Sequence, residues 1–132
     1  MYSRPLCSTP CTTGATVLSV SRNRSLLSTR KAVLRRAGFT VNAAASNEEA
    51  VSIAHNARPV VAVLDQTIPW REREKLATAL KKAHNPIRVV GIAVDTDPCP
   101  LQSVDGIVGS QEGPEVLITA VRAAMAARPA GA

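Results

Sequence analysis

Apolar residues fall along this chain in two alternating patterns. Short continuous runs rich in β-branched side chains read as buried strands, and longer stretches with apolar positions three and four apart read as helices. The run ATVLSV at 15–20 predicts a first strand. After a polar junction at 21–24, Leu26, Leu27, Val33, Leu34 and Ala37 share one face of a basic helix. Gly38 stands where that helix should end, because glycine enters the left-handed region without strain. FTVNAAA at 39–45 predicts a second strand. SNEEAVSIAHNA predicts a second helix, in which Ser46 and Glu49 have capping-box spacing and Ala50, Val51, Ile53, Ala54 and Ala57 form a narrow buried face. Arg58-Pro59 breaks it. VVAVLD at 60–65 is apolar on both faces and therefore predicts a central third strand.

The second half continues the alternation. WREREKLATALKKA at 70–83 predicts a helix with Glu72 and Glu74 early and Lys81 and Lys82 late, the order its dipole favours; Asn85-Pro86 stops it. IRVVGIAV at 87–94 is a fourth strand and VDGIVGS at 104–110 a fifth. Between them DTDPCPLQS is too broken for a good helix, since Pro98 and Pro100 remove backbone donors. PEVLITAVRAAMAA at 114–127 is a last helix, with Pro114 at its first position and Val116, Leu117, Ala120, Val121 and Ala124 facing inward. Strands that alternate with helices build a parallel sheet covered on both faces.

Composition adjusts this picture in few places. The 132 residues suit one domain that needs no covalent staple. Tyr2, Phe39 and Trp70 are its only aromatic residues, so the core must be aliphatic. The net charge is +6, much of it from Arg22, Arg24, Arg30, Lys31, Arg35 and Arg36 in a stretch without acids. That stretch is either a solvated helix face or a surface for an acidic partner, a nucleic acid or anionic lipid. Cys7, Cys11 and Cys99 are odd in number, which points to a reducing, cytoplasmic setting, and C-x-x-x-C without a second close pair is thin support for zinc. Residues 1–14 read as a disordered tail and 128–132 as a frayed end, flanking a domain at 15–127; no apolar run is long enough to cross a membrane.

One carboxylate stands out. Asp65 is the last residue of the central strand, and in open α/β sheets ligands bind beyond the carboxyl ends of the strands, at the switch in strand order. A strand ending in Asp and then x-x-x-Pro, within this order of elements, resembles the receiver domain of bacterial two-component response regulators. The resemblance covers residues 15–127 and rests on VVAVLDQTIP, on VLRRAGFTV, and on SVDGIVGSQEGPEVL. It implies a flavodoxin-like, doubly wound sheet of five parallel strands, here with the fourth helix short or missing.

The resemblance also implies a chemistry that most of the corresponding residues do not support. Asp65 occupies the phosphoacceptor position. Ser21 and Arg22 stand where an acidic pair would hold magnesium, and Ser110 stands where a lysine would be. Gly91 or Ala93 replaces a hydroxyl residue of the fourth strand, and Ile107 an aromatic switch residue of the fifth. One carboxylate makes a thin site for a hard octahedral cation, so neither magnesium nor another cofactor is expected. Arg22 either reaches Asp65 as a substitute cation or points to solvent. Trp70 either shields the loop beside Asp65 or anchors a partner.

The resemblance therefore implies a stand-alone, degenerate pseudo-receiver of two-component phosphorelay signalling. It would work without phosphorylation, through contacts with a histidine kinase or another regulator. The alternatives are a functional single-domain receiver phosphorylated on Asp65, and a basic nucleic-acid-binding module. An enzyme has little support: the chain lacks a Gly-rich phosphate loop, and His55 and His84 accompany no nucleophile in a recognised motif.

Overall fold

The computed structural model describes residues 15–83 and 87–126. The elements run β1 (Thr16–Val20), α1 (Arg24–Arg36), β2 (Thr40–Ala44), α2 (Asn47–Ala57), β3 (Val61–Leu64), α3 (Trp70–Ala83), β4 (Arg88–Ala93), β5 (Gly106–Gly109) and α4 (Pro114–Ala126). The tails, Cys7, Cys11, His84 and the Asn85-Pro86 stop lie outside the described residues.

All strand pairs are parallel, as the alternation of elements predicts, and the order is β2-β1-β3-β4-β5, the flavodoxin-like arrangement that the resemblance implies. β3 is central and fully buried. Alternate residues divide the core in two. Val17, Val61, Val63, Val90, Ile92 and Val108 pack under Leu34 of α1 and Leu117 and Val121 of α4. Leu18, Val20, Ala62, Leu64 and Val89 pack under Ala50 and Ala54 of α2 and Leu76, Ala77 and Leu80 of α3. This period-two split is what parallel strands covered on both faces require.

Local signals explain the boundaries. The Asn23 side chain accepts from the Leu26 N–H at 3.1 Å and caps α1. Gly38 takes φ +103° as the chain leaves that helix. Ser46 accepts from the Glu49 N–H at 3.1 Å, while Glu49 reaches back to the Ala45 N–H at 2.8 Å, so the expected capping box closes one residue further upstream than usual. Two expected core positions turn outward: Ala57 is exposed in the last turn of α2, and Val116 is exposed in the first turn of α4. Ala57 is the last residue of its helix, and Val116 lies one position off the face that Leu117, Val121 and Ala124 bury.

No helix joins β4 to β5; α3 grips that connection instead. The Trp70 indole N–H donates to the Cys99 carbonyl at 2.8 Å. Glu74 accepts from the backbone N–H groups of Gln102 and Ser103, each at 3.0 Å. Leu101 is buried and lies over Gly91, where an added Cβ would come within 2.5 Å of its Cδ1. Arg73 is 1% exposed. Its guanidinium donates to the carbonyls of Ile68 and Ile92 and pairs with Asp97. A residue three and four positions before Leu76 and Ala77 thus ties the β3–α3 loop, strand β4 and the β4–β5 connection together with a buried charge.

Candidate functional site

The site lies where β1 and β3 diverge to opposite helical layers. Val20 pairs with Leu64, and the next residue on each strand, Ser21 and Asp65, emerges at the same edge. The Asp65 N–H donates to the Val20 carbonyl at 3.0 Å and the Ser21 N–H to the Ala44 carbonyl at 3.2 Å, so both are fixed by the sheet before their side chains act.

Asp65 is 0% exposed, and a buried carboxylate must find donors. Its Oδ2 accepts from the Ser21 hydroxyl at 2.9 Å, the Thr67 hydroxyl at 2.6 Å and the Thr67 N–H at 3.1 Å. The last of these is the local turn that aspartate makes with the residue two further on. Its Oδ1 accepts from the Arg30 guanidinium, which reaches over from the middle of α1. The other η-nitrogen of Arg30 donates to the Gln66 side-chain carbonyl at 3.1 Å. Both carboxylate oxygens are therefore engaged and the charge is matched. Burial pushes the Arg30 guanidinium below its ordinary pKa, because desolvation disfavours charge. An arginine starts so high that the group stays cationic at neutral pH.

The expected pair between Arg22 and Asp65 is not the one formed. The Arg22 side chain turns outward to Glu72 of α3, and both partners are more than a third exposed. Its backbone does reach the site, donating to the Thr67 hydroxyl at 2.9 Å. Chain direction explains the swap: at the tip of β1, Arg22 faces the β3–α3 side of the loop, whereas Arg30, two turns into α1, overhangs the strand ends.

The remaining sequence-predicted positions divide. Ser110 follows β5 and its N–H donates to the carbonyl of Ala93, the last residue of β4. Gly91 lies inside that strand, opposite Leu64 and beneath Leu101. Neither Ser110, Gly91 nor Ala93 bonds Asp65. Ile107 is 48% exposed on β5, beside the connection that lacks a helix. Sequence reasoning placed Arg30 only on a basic helix and missed Thr67, Gln66 and Arg73 altogether. Arg30 interrupts the apolar stripe Leu26–Val33–Leu34, and Arg73 heads the stripe Leu76–Ala77–Leu80, so a cation in register with an apolar stripe was the available signal.

No protein-family model and no curated protein matches the chain. Solved structures do match its fold. The chemotaxis protein CheY4 of Vibrio cholerae superposes with a TM-score of 0.74 at 23% identity, covering 84% of this chain and 98% of that one. A response regulator receiver protein from Sinorhizobium medicae gives 0.69 at 23% identity, covering 88% and 98%. NtrX from Brucella abortus gives 0.72 at 18% identity, covering 85% of this chain but 26% of that one. These likenesses establish the receiver fold.

Proposed function

We propose that this chain is a receiver-like signalling module in which Arg30 does by a permanent ion pair what phosphate and metal would otherwise do at Asp65. The observation that carries the reading is the buried Asp65 carboxylate, with Arg30 on one oxygen and Ser21 and Thr67 on the other. A phosphoacceptor must present a free oxygen to its donor and have the incoming charge neutralised. Here the nucleophilic positions are filled. The donor set also fits magnesium poorly, since that ion wants several hard oxygens in octahedral geometry. Asp65 would supply a single carboxylate, and a guanidinium already competes for it. Among the described residues there is no cluster of three His, Cys, Asp or Glu side chains that could hold a metal.

In this reading the module is non-enzymatic and cytoplasmic, and it signals by protein contact, with a histidine kinase or another regulator as partner. No described helix is long and apolar enough to cross a membrane. The competing reading, a working receiver phosphorylated on Asp65, draws on the position of Asp65 at the end of the central strand. One experiment separates them. Incubating the protein with acetyl phosphate and magnesium and measuring intact mass should leave the mass unchanged. A phosphoryl adduct on the wild type that disappears in Asp65→Asn would overturn the proposal. A nucleic-acid-binding reading draws on Arg24, Lys31, Arg35 and Arg36 of α1, which have no ion-pair partner among the described residues. It requires steeply salt-dependent binding to nucleic acid that charge reversal at Arg35 and Arg36 abolishes.

A further inference from the structure

Between α1 and α4, with the Asp65 partner Arg30 in its lining, the structure holds a cavity of about 210 Å³. Leu26 and Val33 of α1, Ile92 of β4, Val108 of β5, and Pro114 and Leu117 of α4 form its largely apolar wall. Arg30 lines one part of it, and Thr29 and Ser110 add hydroxyls. Among the described residues, the Arg30 guanidinium is the one cation in this largely apolar lining. Glu112 is on the rim, but its Oε1 accepts from the Gly109 N–H at 2.7 Å, which ties the carboxylate to the β5–α4 turn.

Arg30 has capacity to spare. A guanidinium carries five N–H donors. Hydrogen bonds to Asp65 and Gln66 use one hydrogen on each η-nitrogen, leaving three for other acceptors. A partly desolvated guanidinium beside an apolar cavity selects for a ligand with an anionic, planar head and an apolar body. The size is right for a small one: a cavity of about 150 Å³ holds a benzene ring.

We propose that this cavity binds a small amphiphilic carboxylate, an aromatic or short aliphatic acid, with its head on Arg30 and its body against Val33, Ile92, Val108 and Leu117. Because the same guanidinium holds Asp65 and Gln66, occupancy is read directly by the β3–α3 loop. The binding site does not depend on how Asp65 behaves toward phosphate, so failure of either idea leaves the other standing.

Titrating the ¹⁵N-labelled chain with benzoate and with hexanoate tests it. Saturable shifts should appear at the amides of Thr29, Gly109, Ser110, Gly113 and Leu117, and smaller ones at Gln66 and Thr67. Benzyl alcohol, which keeps the ring and lacks the charge, should bind roughly ten- to a hundredfold more weakly, as the loss of a charge-assisted hydrogen bond demands. Arg30→Met should weaken benzoate by the same factor. Should that variant fail to fold, Leu26→Trp, which fills the cavity from its half-buried edge and leaves Arg30 intact, should abolish the shifts without lowering the melting temperature. No saturable shift at about 10 mM acid, a concentration that detects even millimolar binding, would overturn the proposal. So would equal binding of acid and alcohol, or inorganic phosphate reproducing the shifts that benzoate gives.

Discussion

At the scale of single residues, two arginines near one carboxylate have opposite worth. Arg30 meets Asp65 in a largely buried setting, with the carboxylate fully covered, while Arg22 meets Glu72 in the open. Removing one partner of a buried pair strands the other, at about 3–5 kcal/mol, whereas exposed pairs contribute about 0–1 kcal/mol. Urea unfolding of Arg30→Met should therefore show a loss of about 3–5 kcal/mol, and Arg22→Ala a loss below about 1 kcal/mol. Equal losses would mean that Arg22 supports Asp65 after all. The site was legible only in part for the same reason. Asp65 follows directly from the end of its strand, and the resemblance to receivers puts Ser21 beside it, an adjacency that the pairing of β1 with β3 shows. Which arginine reaches Asp65 depends on the rotation of α1 over the sheet, a tertiary quantity that the spacing of residues does not contain. Thr67 was accessible in principle, since Asp-x-Thr can close a turn on itself.

At the scale of elements, the β4–β5 connection shows how a helix can be replaced. Pro98 and Pro100 forbid helical pairing, and the loss of that helix could be foreseen from them. What covers β4 instead could not, because Leu101 looks like any loop leucine until Gly91 is seen beneath it. Gly91→Ala should push Leu101 from its seat and cost about 1–3 kcal/mol, the usual penalty of overpacking. Adding Leu101→Ala should cost less in that background than in the wild type, a coupling that a double-mutant cycle by thermal or urea unfolding would measure. Additive losses would show that Leu101 does not seal this strand. Arg73 completes the replacement by bonding loops on both sides of α3, so the irregular segment is held by side chains where a helix would have used its own backbone.

At the scale of the whole molecule, the fold was the most legible property. Every strand and every long helix announced itself by its period, and Gly38 and Ser46 marked two of the boundaries. Alternating strands and helices leave few topologies once crossovers are right-handed. A global measurement also tests the metal-free reading of the site. A ligand that binds only the folded state stabilises it with the logarithm of its concentration, by about 1.4 kcal/mol at tenfold excess over its Kd. Magnesium at about 10 mM should leave the melting temperature where it was, whereas any site of about 1 mM affinity or better would raise it. A rise that Asp65→Asn removes would show that the carboxylate takes a cation despite Arg30.

Trp70 gives all of this an optical handle. It is the chain's single tryptophan, accompanied by one tyrosine and one phenylalanine, so intrinsic emission excited at the red edge belongs to it alone. Its indole starts α3 just past the Asp65 loop and donates to the Cys99 carbonyl in the segment that stands in for a helix. Release of that segment would carry the indole from a half-buried, hydrogen-bonded setting into water and shift its emission to the red. The protein thus carries a native fluorophore at the joint between its candidate site and its least regular surface, and no label is needed to watch one respond to the other.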